Sequence, residues 1–180
     1  MSQAGKHIHR ELGYRVIITG GSTEEKLASQ VAEMAGEGAI SFAGELSLQE
    51  FVALIDLSPL LLANNSGPVH IAAARNTPVV VLYALTNPQH LPWQVPCRVL
   101  PFDPPDELKS RNILVRWGCE QAFKAPVGCV NPEEVFNAVA ELLAKGTNAP
   151  EVEILQTPSF PDGATPGLQT ARLPREAPWQ

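Results

Sequence analysis

The chain has 180 residues, 44% of them apolar, and a formal charge of −6 from 13 basic and 19 acidic side chains. That length holds one domain with a real core, and an acidic balance with no Lys/Arg run excludes the basic stripe that a nucleic-acid surface needs. No apolar run approaches the roughly 20 residues that span a bilayer, and the polar first ten residues lack the apolar core of a secretion signal, so a cytoplasmic location is expected.

Residues 1–14 read as a leader or interdomain remnant. Val16-Ile17-Ile18-Thr19 is a β-branched run and predicts a buried strand, ended by Gly20-Gly21-Ser22. A helix follows from near Thr23. Leu27, Val31 and Met34 fall at helical spacing on one face, and Glu24 and Glu25 sit in the first turn, where the helix dipole favours acids. Gly36 and Gly38 close it. A second strand spans residues 39–43 and ends at Gly44. Ser47-Leu48-Gln49-Glu50 matches a capping box and opens a helix with an apolar face of Leu48, Phe51, Val52 and Ile55. Pro59 separates this helix from a third strand at residues 60–63.

The next segment, Asn64-Asn65-Ser66-Gly67-Pro68-Val69-His70, lies between that strand and a helix of small residues, Ala72 to Ala74. Pro68 suits the first helical position, where a missing N–H costs nothing. A fourth strand spans residues 79–83. Strand and helix alternate through about 70 residues, which predicts βαβ units: an α/β fold with a Rossmann-like parallel sheet and helices on both faces. Ligands bind such sheets beyond the carboxyl ends of the strands, so the turns at Gly20-Gly21, Gly44 and Asn65 and the loop 84–93 are expected to share one crevice.

Residues 97–100 read as a fifth strand, and residues 106–128 carry little periodic signal. Asn131-Pro132-Glu133-Glu134 opens a last helix whose apolar face is Val135, Val139, Leu142 and Leu143; Gly146 ends it. The domain is thus set at residues 15–146. The proline-rich residues 147–180 read as an extended or disordered tail. Cys97, Cys119 and Cys129 lack the close pairing of common zinc sites and read as reduced structural thiols.

The turn at Asn65 carries most of the functional information. A helix N-terminus presents unsatisfied N–H donors and the positive dipole end, a ready site for phosphate. The Ser66 hydroxyl and the N–H groups of Gly67, Val69 and His70 are candidates to hold a diphosphate; Pro68 has no N–H. His70 in the first helical turn could reach the same phosphates. The structural alternative is a plain turn in which Asn65 and Ser66 cap the helix.

Asn65-Ser66-Gly67-Pro68-Val69-His70, followed by small residues, a proline and a strand, resembles the D-S/T-G-P/L-x-H turn of family 9 glycosyltransferases, the lipopolysaccharide heptosyltransferases. Gly20-Gly21-Ser22-Thr23-Glu24 is similar to the first turn of that family's C-terminal half. The segment from Phe42 to Glu50 is similar to its F-x-G-x-x-S-L-x-E segment, and Asn131 to Val135 to its final helix start.

The resemblance implies the C-terminal half of a GT-B fold, which binds the nucleotide-sugar donor, an ADP-sugar such as ADP-heptose. It also implies a separate N-terminal domain that binds a lipopolysaccharide-core-like acceptor and supplies the base. The partners implied are that donor, the missing N-terminal acceptor-binding domain and a lipid-borne acceptor at the inner membrane face. No nucleic acid, metal or cofactor is expected. Among site residues the resemblance implies a ribose-binding acid at Glu24, with Glu25 as its alternative, a base pocket at Gly44 and Leu46, and a sugar- or phosphate-binding loop at Thr86. It also makes His70 a candidate catalytic group that neutralises charge on the departing diphosphate, and a diphosphate role for Asn65 is implied with a departure, because the family has Asp there. The family's phosphate-neutralising Lys or Arg has no match in this chain. Two other readings compete: a non-catalytic nucleotide-binding or scaffold module, and a dinucleotide-binding dehydrogenase domain, which the absence of G-x-G-x-x-G disfavours.

Overall fold

The computed structural model describes residues 2–84, 91–105, 107, 109, 111–123 and 129–145. Among the described residues there are five strands, β1 (Val16–Ile18), β2 (Ala39–Ser41), β3 (Leu61–Asn64), β4 (Val79–Ala84) and β5 (Cys97–Phe102), and strands and helices alternate from the N-terminus as far as β4. The helices are α1 (Ser2–Leu12), α2 (Glu25–Ala35), α3 (Leu48–Leu57), α4 (Gly67–Arg75), α5 (Ile113–Phe123) and α6 (Pro132–Lys145). One 3₁₀ turn, Ser22–Glu24, leads into α2. All strand pairs are parallel: β1 with β2, and β3 with β4 with β5. This is the expected α/β class with one difference. Among the described residues the strands form two sheets, because no pairing joins β1 to β3.

β4 shows why helices lie on both sides. Its side chains alternate between faces with the period of two that any strand imposes. Val79, Val81 and Tyr83 are fully buried in one cluster with Ile55 of α3 and Val69 and Ala72 of α4. Val80 is buried on the other side with Ile8 of α1 and Ala138, Val139 and Leu142 of α6. Full burial of each valine stabilises by roughly 1.5–3 kcal/mol, so this one strand anchors both layers.

Polar clamps fix the outer helices. Arg75 at the end of α4 makes a two-pronged pair with Asp56 of α3, Nε at 3.0 Å and Nη2 at 2.7 Å. Thr77 donates its hydroxyl to the Ile55 carbonyl at 3.1 Å. On the other layer Arg98 of β5 forks onto Glu141 of α6, and Lys145 joins at 3.0 Å. Both cations, Arg98 first, hold the Glu141 carboxyl down at about 2.

Several expectations change. The segment 1–14, set apart as a leader or interdomain remnant, contains α1, whose Ala4, Gly5 and Ile8 are buried against α2 and α6. The face of α2 that packs inward is Ala28 and Ala35, with Val31 half-buried; Leu27 and Met34 are 62% and 67% exposed. The cause is close helix approach: a Cβ built on Gly5 of α1 would lie 3.5 Å from the Ala35 Cβ, so only small residues fit between the helices. On α3 Ile55 is buried, Phe51 and Val52 are half-buried, and Leu48 is exposed. Residues 113–123 form α5, although their sequence has little periodic signal. The last helix is as expected: Asn131 Oδ1 accepts from the Glu134 N–H at 2.8 Å, and Val135, Val139 and Leu142 are buried. Gly146 and the tail 147–180 lie outside the described residues.

Candidate functional site

The carboxyl ends of β1 and β2 are tied together by the backbone. Gly44 donates its N–H to the Gly20 carbonyl at 2.9 Å. Gly44 has φ +77°, a left-handed conformation that glycine alone adopts freely. A Cβ there would also collide with the Glu25 carboxylate, which crosses from the first turn of α2 to lie against it.

The two acids at this turn therefore have different duties. Glu24 accepts the Gly21 N–H at 2.8 Å and packs back on its own turn. That is the structural role of an acid at a helix start. Glu25 extends toward the β2 turn and lies beside Gly44; Leu46, two residues on, is half-buried. Sequence alone left the choice between them open; the structure engages Glu24 with the Gly21 N–H and lays Glu25 against Gly44.

The turn after β3 is built differently. Asn65 donates its N–H to the Leu82 carbonyl at 3.2 Å, which ties the turn to the end of β4. The Asn65 Oδ1 is buried and has no hydrogen-bond partner among the described residues. A buried acceptor left alone destabilises by about 1–3 kcal/mol.

Ser66 is the N-cap residue of α4, in extended conformation, yet its side chain makes no capping bond. Its hydroxyl instead donates backward to the Asn64 carbonyl at 3.2 Å. The alternative in which Asn65 and Ser66 cap this helix through their side chains is not what forms. Pro68 falls at the second helical position, one later than expected, because the helix begins at Gly67.

The donors expected at this terminus are unequal. The Val69 N–H already donates to the Ser66 carbonyl at 3.1 Å, and the Val69 side chain is fully buried in the core. Val69 therefore serves packing and turn closure, not an open donor position. Gly67 faces open space: a Cβ built there meets nothing within 4 Å. Ser66 and His70 are exposed beside it. The corner is open to an anion, with the Gly67 N–H and the Ser66 hydroxyl at its mouth and the positive end of a nine-residue helix behind them.

No hydrogen bond among the described residues joins the Gly20–Gly44 pair to the Asn65 turn. Thr86 and His90 lie outside the described residues, and Trp93 is exposed. Among the described residues no group of three His, Cys, Asp or Glu side chains is placed to hold a metal ion, and no helix is long and apolar enough to cross a membrane. Cys97 and Cys129 are free thiols; burial raises the Cys97 pKa.

Comparison with known proteins agrees with this fold. The family model described as glycosyltransferase family 9 (heptosyltransferase) matches residues 6–118. Lipooligosaccharide heptosyltransferase 2 of Haemophilus influenzae is 36% identical over 139 residues, covering 74% of this chain and 39% of that protein. Lipopolysaccharide heptosyltransferase 2 of Salmonella typhimurium is 31% identical over 145 residues, with 74% and 38% covered. The crystal structure of a family 9 glycosyl transferase from Veillonella parvula superimposes with a TM-score of 0.63 at 24% identity, covering 81% of this chain and 40% of that one. The E. coli structure titled ADP-heptose lps heptosyltransferase II gives 0.58 at 23% identity, with 80% and 40% covered. This chain spans about two-fifths of the length of these proteins, and it belongs to glycosyltransferase family 9.

Proposed function

We propose that this chain is the donor-binding part of an inverting glycosyltransferase, which transfers a sugar from a nucleotide-sugar, heptose from ADP-heptose, to a lipopolysaccharide-core-like acceptor. The observation that carries this reading is the α4 N-terminus, whose capping serine leaves the helix uncapped and whose Gly67 faces open space. Family membership supplies the reaction class.

In the reaction an acceptor hydroxyl oxygen attacks the anomeric carbon. The bond from that carbon to the diphosphate oxygen breaks, the configuration inverts, and the hydroxyl proton passes to a base. That base and the acceptor site belong to an N-terminal domain beyond this chain. Residues here stabilise the leaving nucleoside diphosphate, whose charge grows in the transition state. The Gly67 N–H bonds the diphosphate, the Ser66 hydroxyl turns from the Asn64 carbonyl to donate to it as well, and His70 sits one helical turn in, where a protonated imidazole balances part of its charge.

Glu25 is the better candidate for the ribose hydroxyls, because the Glu24 carboxylate is engaged by Gly21. A carboxylate accepts both hydrogen bonds of a vicinal diol. Gly44 and Leu46 border the base. The helix terminus and these side chains handle the phosphates without a metal. The enzyme would work in the cytoplasm, meeting its lipid-borne acceptor at the inner membrane face.

Calorimetric titration with ADP, UDP and GDP tests the reading. Selective binding of ADP, with no transferase turnover by this chain alone, is expected. Binding of none of the three would overturn it. One observation favours a second reading, a nucleotide-binding module without catalytic duty: Asn65 replaces the family's Asp, so any step that needs a carboxylate there is lost. That module would bind ADP yet remain inactive when joined to a competent acceptor domain.

A further inference from the structure

α5 turns large apolar side chains outward. Ile113, Leu114 and Trp117 are 78%, 73% and 55% exposed. Ile113 and Trp117 stand four residues apart and are neighbours on one helix face, with Leu114 at its border. Val115 and Gly118, on the opposite side, are half-buried. No helix or strand among the described residues packs extensively along α5. Its start is nevertheless well defined: Asn112 Oδ1 accepts the Leu114 N–H at 2.9 Å, and the Asn112 carbonyl accepts the Arg116 N–H at 3.1 Å. Charge is uneven here too. Residues 110–119 contain two cations, Arg111 and Arg116, and no acid, although the chain carries −6. Both arginines are exposed, and no ion pair among the described residues engages either. Arg116 lies three residues from Ile113, so it flanks the apolar stripe.

We infer that this face of α5 is a membrane contact. Ile113, Leu114 and Trp117 enter the headgroup region of a bilayer, and Arg111 and Arg116 meet its anionic lipids. Three features point to lipid as the occupant. Tryptophan favours the headgroup level, where its ring is in an apolar setting and its N–H stays wet. Arginine lays its stem along apolar surface while its guanidinium grips a phosphate with two hydrogen bonds. A chain of net charge −6 is repelled as a whole by an anionic bilayer, so it approaches through a locally cationic patch, and this segment is one.

The inference rests on the proposed function in one respect, the lipid-borne acceptor, which gives the protein a reason to sit at a bilayer. Topology agrees with that use. β3, β4 and β5 are parallel and in register, so the chain leaves β5 at the end of the sheet where the Asn65 turn lies. The Lys109–Asp103 pair, 3.1 Å apart, ties the approach to α5 back to that end. The contact is reversible, since a few apolar side chains and two cations fall short of permanent anchoring.

The test mixes the 180-residue chain with vesicles of phosphatidylcholine alone, or of equimolar phosphatidylcholine and phosphatidylglycerol, and reads co-sedimentation. Nucleotide and acceptor are left out, so a failure here is separate from a failure to bind ADP. Binding to the anionic vesicles is expected to be at least about tenfold stronger than to the neutral ones and to weaken as salt rises. Arg111→Gln with Arg116→Gln should weaken it at least about tenfold, and Ile113→Ser with Trp117→Ser by a similar factor. Leu27→Ser with Met34→Ser removes two exposed apolar side chains of α2 and should leave vesicle binding unchanged. Thermal unfolding of each variant should match the parent, because all these side chains are exposed. A second readout needs no variant on the α5 face: Trp93→Phe with Trp179→Phe leaves Trp117 as the lone tryptophan. Its emission should move to the blue on anionic vesicles and be quenched by bromine-labelled acyl chains. Equal binding to both vesicle types, equal losses in the α2 and α5 variants, or unmoved Trp117 emission in the vesicle-bound chain would each overturn the inference. So would absence of vesicle binding, whether the chain is monomeric or forms a dimer that the Trp117 variant dissociates, in which case a second copy is the occupant.

Discussion

Ser47 and Ser66 hold the same position at the starts of two successive helices, and the two helix starts differ in how their polar groups are used. At α3 the reciprocal capping box is complete. Ser47 Oγ accepts the Glu50 N–H at 3.3 Å, while Glu50 Oε2 accepts the Ser47 N–H at 2.8 Å and its hydroxyl at 2.6 Å. These bonds pull the Glu50 carboxyl pKa below its ordinary value, the side-chain bond to Ser47 first. At α4 the serine turns away, no side chain caps the helix terminus, and a buried carboxamide oxygen next to it has no partner among the described residues. A capped terminus is finished as a piece of fold. An uncapped one, facing open space, has donors left for a ligand.

The comparison can be broken in several places. Asn65→Asp puts a carboxylate where Oδ1 has no donor. It should destabilise the fold by about 2–3 kcal/mol at pH 7 in urea unfolding. Burial raises the pKa of such an acid, so the penalty should shrink as pH falls below neutral and the group becomes protonated. An unchanged midpoint at pH 7 would mean that the oxygen is not isolated. Gly67→Ala puts a methyl into the open corner, where a Cβ meets nothing within 4 Å beyond its chain neighbours. ADP affinity should fall at least about tenfold, near 1.4 kcal/mol, with stability within about 0.5 kcal/mol of the parent.

Ser47→Ala should show the reverse pattern, a loss of about 1 kcal/mol in stability with ADP binding unchanged. Ser66→Ala sharpens the contrast. Its stability should move by less than about 0.5 kcal/mol, while ADP binding weakens about fivefold, as for one lost hydrogen bond near 1 kcal/mol. If Ser66→Ala unfolds the protein as readily as Ser47→Ala, the two termini are alike and the site assignment fails.

The smallest effect concerns acid. The Glu141 carboxyl, held at about 2 in the folded protein against 4.5 ordinarily, contributes stability that is fully present above pH 4.5 and is lost as pH falls toward 2. The pair is largely exposed, so its contribution is below about 1 kcal/mol. Glu141→Gln should remove that part of the acid dependence of Tm and leave ADP binding alone.

Much of the fold was legible in the sequence because its signals are local. The capping residues Ser47 and Asn131, the β-branched strand at 79–83 and the glycines at 36 and 44 each act within a few residues. The face of α2 was not legible. Leu27 and Met34 have the right spacing, but the depth available between α1 and α2 is set by Gly5 and Ala35, which are distant in sequence. The split between β1 and β3 was hidden for a similar reason, since a three-residue strand does not state which neighbour it lacks. At the site, the Asn65-to-His70 turn could be located from its residue types. The duties of Ser66 and Val69 could not be, because side-chain rotation and a single backbone bond decide them.

The central claim is that the α4 N-terminus, unlike the α3 N-terminus, has donors left for a diphosphate. An ¹H–¹⁵N NMR titration of this chain with ADP tests it most directly, reading the Gly67 and His70 amides against those of Ser47 and Glu50 in one experiment. The account predicts large, saturable shifts at Gly67 and His70 while the capping-box amides stay in place. Shifts of equal size at both termini, or none at Gly67 at saturating ADP, would contradict it.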